Sequence, residues 1–158
     1  MAKLHGLDVT KNNGIGQVYG YNEQLGIYCM SLGGDWSSKY VHLKTNQNVS
    51  MNQITTIEAV GYNYGTSQPI RCMWSFYVYP TTGLVHDKGM SSDDYSGMTA
   101  DGIYKSSDGY AVIRGYMPSH YVCGAIFNAY TSGAGSHPFG AKVDITAYTV
   151  TDNGGTVY

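Results

Sequence analysis

A jelly-roll-like antiparallel β-sandwich of about eight strands, all-β with little or no helix, is the fold that this sequence predicts. No stretch of ten or more residues carries the 3.6-residue apolar period of a helix. Short runs of β-formers recur instead, separated by Gly, Asn, Asp, Ser and Pro. Each run has one apolar face, and with no helix available to cover those faces, sheet must pack on sheet.

The strands follow in order. "LGIYCMSL" (25–32), "KYVHLKT" (39–45) and "QITTIEAVGYNY" (53–64) come first. In "IRCMWSFYVY" (70–79), Ile70, Cys72, Trp74, Phe76 and Val78 share one face, and Arg71, Met73, Ser75, Tyr77 and Tyr79 the other. Burying Ile70, Trp74, Phe76 and Val78 contributes roughly 6–12 kcal/mol of gross transfer energy, at about 1.5–3 each, much of it offset by backbone ordering. "GIYKS" (102–106) and "GYAVIRGY" (109–116) follow, then "YVCGAIFNAY" (121–130) and "AKVDITAYTV" (141–150). In the last of these, Val143, Ile145, Ala147 and Thr149 oppose Lys142, Asp144, Thr146, Tyr148 and Val150.

Residues 1–22 are Gly- and Asn-rich with little periodicity, which suggests an N-terminal arm or extended segment; residues 23–158 form a single sandwich domain. The longest polar stretch is "HDKGMSSDDYSGMTADG" (86–102), and polar loops of that length are often functional or mobile.

The chain has 9 basic against 11 acidic residues, so it carries no electrostatic footprint for nucleic acid or for a membrane surface. No apolar run has the length of a transmembrane helix, and the N-terminal residues show no apolar leader, so membrane insertion and secretion are not expected. Charged residues are 13% of the chain, about half the usual share, while there are 16 tyrosines. A surface of Ser, Thr, Asn, Gln and Tyr suits lasting contact with protein or sugar better than electrostatic steering. Cys29, Cys72 and Cys123 fall within strands and read as buried thiols.

Catalytic and cofactor chemistry find little support. Asp87, Asp93, Asp94, Asp101 and Asp108 gather in and just after the long loop, but their spacing matches no calcium loop. "DG" at 101–102 and at 108–109 reads as turn chemistry. The five histidines show no paired metal-ligand spacing, and His42 alternates with Tyr40 and Lys44 on a face expected to meet solvent. There is no nucleophile elbow, and no carboxylate pair stands out among two glutamates and turn-bound aspartates. The expectation is a non-enzyme with no catalytic residue, metal or cofactor.

The tyrosines remain. Tyr62, Tyr64, Tyr77, Tyr79, Tyr116, Tyr121, Tyr130 and Tyr148 cluster at strand ends or opposite the core. Three uses compete: capping the core, a subunit interface and a sugar-stacking platform. The candidate interface residues are Tyr62, Tyr64, Tyr77, Tyr79 and Tyr148, with another copy of the chain as the expected cover.

Residues 53 to 150 also carry a resemblance. "AVGYNYG", the aromatic strand "SFYVY", and the turn "SSDGY" with an apolar strand behind it are similar to sequences of tailed-phage virion proteins. They resemble especially the β-sandwich tips of marine and cyanobacterial phage fibres, and the decoration proteins related to them. The resemblance implies a virion surface protein, made in the host cytoplasm and assembled as a homotrimer. The short run before the first strand favours a capsid cement protein seated on the major capsid protein, with the N-terminal arm clamping the lattice. The alternative is the receptor-binding tip of a tail fibre or spike that recognises a host surface glycan. Its contacts would then lie in loops 86–102 and 131–140, at Asp93, Asp94, Tyr95 and His137.

Overall fold

The structure, a computed structural model, describes residues 3–4, 7–8, 16–22, 27–33, 38–87, 89–118, 122–133 and 143–158, with side chains for 38–87, 89–118, 125–131 and 143–158. Its strands are β1 (Lys3–Leu4), β2 (Leu7–Asp8), β3 (Gly16–Asn22), β4 (Ile27–Gly33), β5 (Lys39–Asn48), β6 (Gln53–Asn63) and β7 (Gln68–Tyr79). There follow β8 (Gly83–Val85), β9 (Met90–Ser92), β10 (Thr99–Lys105), β11 (Tyr110–Met117), β12 (Val122–Gly133) and β13 (Ile145–Thr151). Each of the eight expected strands has a counterpart, and there is no helix among the described residues.

Two antiparallel sheets pack face to face. The large sheet has nine strands in the order β1-β2-β3-β4-β12-β6-β7-β8, with β9 also pairing β7. The small sheet is β10-β11-β5-β13. The late strand β12 lies between β4 and β6, so it joins the hairpin β3–β4 to the hairpin β6–β7. Residues 1–22, expected as an arm or extended segment, contribute β1, β2 and β3, laid in series beside β4.

The core follows the alternation. Val41 and Leu43 on β5, Ile57 and Ala59 on β6, and Ile70, Cys72, Trp74, Phe76 and Val78 on β7 are all buried. Ile103, Ile113, Ala125 and Phe127 join them from the other strands, and Val143 from just before β13, so both sheets feed one cluster. Trp74 and Phe127, two strands apart on the same inner face, bring their ring centroids to 6.5 Å. Cys72 is a buried free thiol donating to the carbonyl of Met98 at 2.9 Å, while the side chains of Cys29 and Cys123 lie outside the described residues.

A polar cluster closes one end of this core. Gln53 donates to Gln47 Oε1, which also accepts from Thr55 at 3.3 Å, and the Thr45 hydroxyl donates to the Ala111 carbonyl at 2.7 Å. All four side chains are buried, and hydrogen bonding offsets the desolvation that burial demands.

Two local expectations are corrected. Asp101–Gly102, expected as a turn, lies within β10, where the register with β11 shifts between Ala100 and Gly102. The dipeptide makes a β-bulge, a place where an extra residue re-aims a side chain. In β13 a second shift falls between Ile145 and Ala147. It reverses the alternation, so Tyr148 pairs with the inward Leu43 and Val150 with the inward Val41. Tyr148 and Val150 therefore pack on the core, and Tyr148 leaves the outer face on which an interface was expected.

Candidate functional site

Two outer faces carry what chemistry this sandwich has. That of the large sheet is formed by alternate residues of three long central strands. Reading across from β7 through β6 to β12, the rows are Ser75–Thr56–Tyr130, Met73–Glu58–Asn128 and Arg71–Val60–Ile126. Ile54 opposite Tyr77, and Tyr62 opposite Pro69, extend the face at its ends. Their inward neighbours are core residues, so period-2 alternation forces these side chains outward.

The face is more apolar than an outer face needs to be. Ile54, Val60, Tyr62, Met73, Ile126 and Tyr130 are each between 39 and 58% exposed. Glu58 and Arg71 are the only charged residues in β6, β7 and β12, and they have opposite signs. The Tyr130 hydroxyl reaches Glu58 at 3.5 Å, and Arg71 lies 3.9 Å from Asp93. Ser75, Thr56, Glu58, Asn128 and Arg71 stand among the apolar residues, so the face is mixed, with exposed apolar side chains set between polar ones, the composition of a protein–protein interface.

The five candidate interface tyrosines divide. Tyr62 and Tyr64 are exposed at one end of β6. Tyr77 and Tyr79 are half-buried and stacked, with ring centroids 5.5 Å apart, and the Tyr77 hydroxyl donates to Asn52 at 2.6 Å. Tyr148 points into the core. Met73 and Ile126, which lie between them, stand on the strand faces that alternation sets opposite the core.

The loop candidates divide as well. Half of segment 86–102 is built into the sandwich: β9 pairs β7, and Ser96, Gly97 and Met98 are buried. Asn63 donates to the Gly97 carbonyl, and Gly97 N–H to the Pro69 carbonyl, both at 2.7 Å. The Ser96 hydroxyl accepts from Arg71 N–H at 3.1 Å. Asp93, Asp94 and Tyr95 are left as an exposed turn, with Tyr95 77% exposed. His137 lies outside the described residues. Among those described, no group of three or more His, Cys, Asp and Glu side chains is placed to hold a metal ion.

The outer face of the small sheet was not anticipated. Segment 152–158 runs on from β13 and makes contacts across it. Tyr158 shares a hydrogen bond with Thr149 at 2.8 Å, and Val157 N–H donates to Tyr104 at 3.4 Å. Arg114 reaches the Gly155 carbonyl at 3.5 Å, and Lys39 pairs with Asp152. Two of the four ion pairs among the described residues are on this face, Lys44–Asp108 and Arg114–Asp101, while Lys39, in phase with Val41 and Leu43, meets Asp152 at the end of the sheet. Lys44 also stands over the rings of Tyr110 and Tyr158, at 5.5 and 5.4 Å.

His42, expected at the surface, is fully buried here. It does project from the outer face, as alternation required. Tyr104 and Thr151 engage both of its ring nitrogens, at 3.0 and 2.9 Å. Burial pulls its pKa below the ordinary 6.5 and Arg114 pulls the same way, while Asp101 opposes them. Burial also pushes the Tyr104 phenol up, keeping it a hydroxyl donor.

Comparison with protein-family models, with curated proteins and with solved structures finds no match to this chain.

Proposed function

We propose that this chain is a non-enzymatic structural protein that packs the outer face of its large sheet against a second copy of itself. In the setting implied by the resemblance, it is a capsid cement protein: a homotrimer on the outer surface of a tailed-phage virion, seated on the major capsid protein. The observation that carries the reading is the exposed patch of Ile54, Val60, Tyr62, Met73, Ile126 and Tyr130, with Glu58 and Arg71 as its only charges.

Size and charge support a second copy as the cover. Strands of 11, 12 and 12 residues, at about 3.3 Å per residue and about 4.8 Å spacing, present roughly 500 Å² of sheet plane. The flanking strands widen this toward the roughly 800 Å² that each partner contributes to a standard interface. Around a three-fold axis this face meets a different surface of the next copy, and with one acidic and one basic residue it buries little unmatched charge, which would be costly.

A cement protein of this kind stabilises by mass action, binding the assembled shell and not its loose subunits. The exposed turn Asp93–Asp94–Tyr95 favours the second reading, a receptor-binding tip for a host glycan. Quantitative mass spectrometry of purified particles distinguishes the two. One copy per major capsid subunit, or a simple fraction of that, is the expected result. A copy number matching the tail fibres assigns the second reading, and absence from particles overturns both.

A further inference from the structure

We infer that segment 152–158 is an acid-sensitive latch on the outer face of the small sheet, held closed by neutral His42 and released when that imidazole takes a second proton. The inference rests on the direction of one hydrogen-bonded chain and is independent of the assembly reading.

That direction can be deduced from end to end. The Thr151 hydroxyl has one hydrogen and donates it to the Asn153 carbonyl at 2.6 Å. Toward His42 Nε2, 2.9 Å away, the same oxygen can therefore only accept, so Nε2 carries the imidazole hydrogen. Nδ1 of the neutral ring is then an acceptor, and it takes the Tyr104 hydroxyl hydrogen at 3.0 Å. The Tyr104 oxygen in turn accepts from Val157 N–H at 3.4 Å. Donation thus passes from Val157 through Tyr104, His42 and Thr151 to Asn153. Both ends of the chain belong to the latch, and its middle is a fully buried histidine.

A proton added at Nδ1 breaks this polarity. Nδ1 becomes a donor facing a hydroxyl that already receives Val157 N–H, and the Tyr104 hydrogen loses its acceptor. The charged and titratable neighbours give the new cation little relief. Arg114 and Tyr116 come from β11, Asp101 and Tyr104 from β10, Tyr40 and Lys44 from β5, and Asp152 and Tyr158 from the latch. Asp101 is already paired with Arg114, and Asp152 with Lys39. The closed form therefore binds fewer protons at His42 than the open form. The latch is at full strength above about pH 6.5 and weakens as pH falls from there through the lower titration of the closed state.

The test is amide hydrogen exchange at Val157 in the full chain, read by NMR as protection factors at about pH 7.5 and about pH 5. Protection in the wild type is expected to fall at the lower pH, the direction set by a His42 pKa that is lower in the closed form. His42→Gln retains one donor and one acceptor but does not titrate, so its protection should be the same at both pH values. Unchanged protection in the wild type, or an equal loss in His42→Gln, overturns the latch. A second measurement needs no variant: the imidazole ¹⁵N shifts of wild-type His42 should report the Nε2–H tautomer at neutral pH and a titration midpoint below 6.5. An Nδ1–H tautomer, or a midpoint at or above 6.5, overturns it equally.

Discussion

Trp74 Nε1 donates to the carbonyl of Arg114 at 2.9 Å, so the largest buried side chain of the large sheet is also hydrogen-bonded to the backbone of the small one. The same Arg114 ion-pairs with Asp101 and reaches Gly155 on the outer surface. A single residue of β11 thus connects the core to the latch.

Trp74→Phe should therefore cost more than its change in volume. It leaves the Arg114 carbonyl without this donor, a loss of about 1–3 kcal/mol, while Trp74→Ala adds a cavity and reaches about 3–5 kcal/mol. Urea unfolding is the measurement: the midpoint should fall in that order with little change in slope.

Two glycines should respond differently to alanine. A Cβ on Gly97 would lie 2.5 Å from Asn63 Cβ and 3.1 Å from the Gln68 carbonyl, where the long loop is stitched to β6 and β7. Overpacking of this kind costs about 1–3 kcal/mol. At Gly83, which has φ +74° and open space around it, only the backbone preference is lost, at about 1 kcal/mol. Thermal unfolding of the two variants should rank Gly97→Ala as the less stable.

The ion pair beside His42 should tune its titration in opposite directions. Asp101 raises the His42 pKa and Arg114 lowers it. Asp101→Asn should move the His42 midpoint down, and Arg114→Gln should move it up. An NMR pH titration of the imidazole reads both signs, and a shared direction would contradict the arrangement.

Much of the fold was legible because alternation is clean in β6, β7 and β12, and on β7 the inward residues form one continuous apolar face. Legibility ended where a single residue changes the phase. The shift at Ile145/Ala147 turns Tyr148 inward, and no turn residue marks it. Asp101–Gly102 has the composition of a turn but forms a bulge, because its aspartate meets Arg114 across the sheet. His42 was placed on the correct face and yet is buried, since its cover comes from Tyr104 and Thr151, 62 and 109 positions later. Local pattern gives the direction of a side chain but not what lies over it. The outer face of the large sheet was half legible: Tyr62 belongs to it, while Met73, Ile126 and Tyr130 gained significance only once the register set them in adjacent rows.

Assembly through that face is the central claim, and sedimentation equilibrium tests it most directly. The wild-type chain should sediment above its 17.2 kDa monomer mass, with the distribution rising toward the oligomer as concentration increases. Met73→Glu combined with Ile126→Lys, both at exposed positions, should return it to the monomer with unfolding free energy changed by no more than about 1 kcal/mol. A wild type that stays at 17.2 kDa across the whole range, or a double variant that associates as strongly as the wild type, would contradict the account.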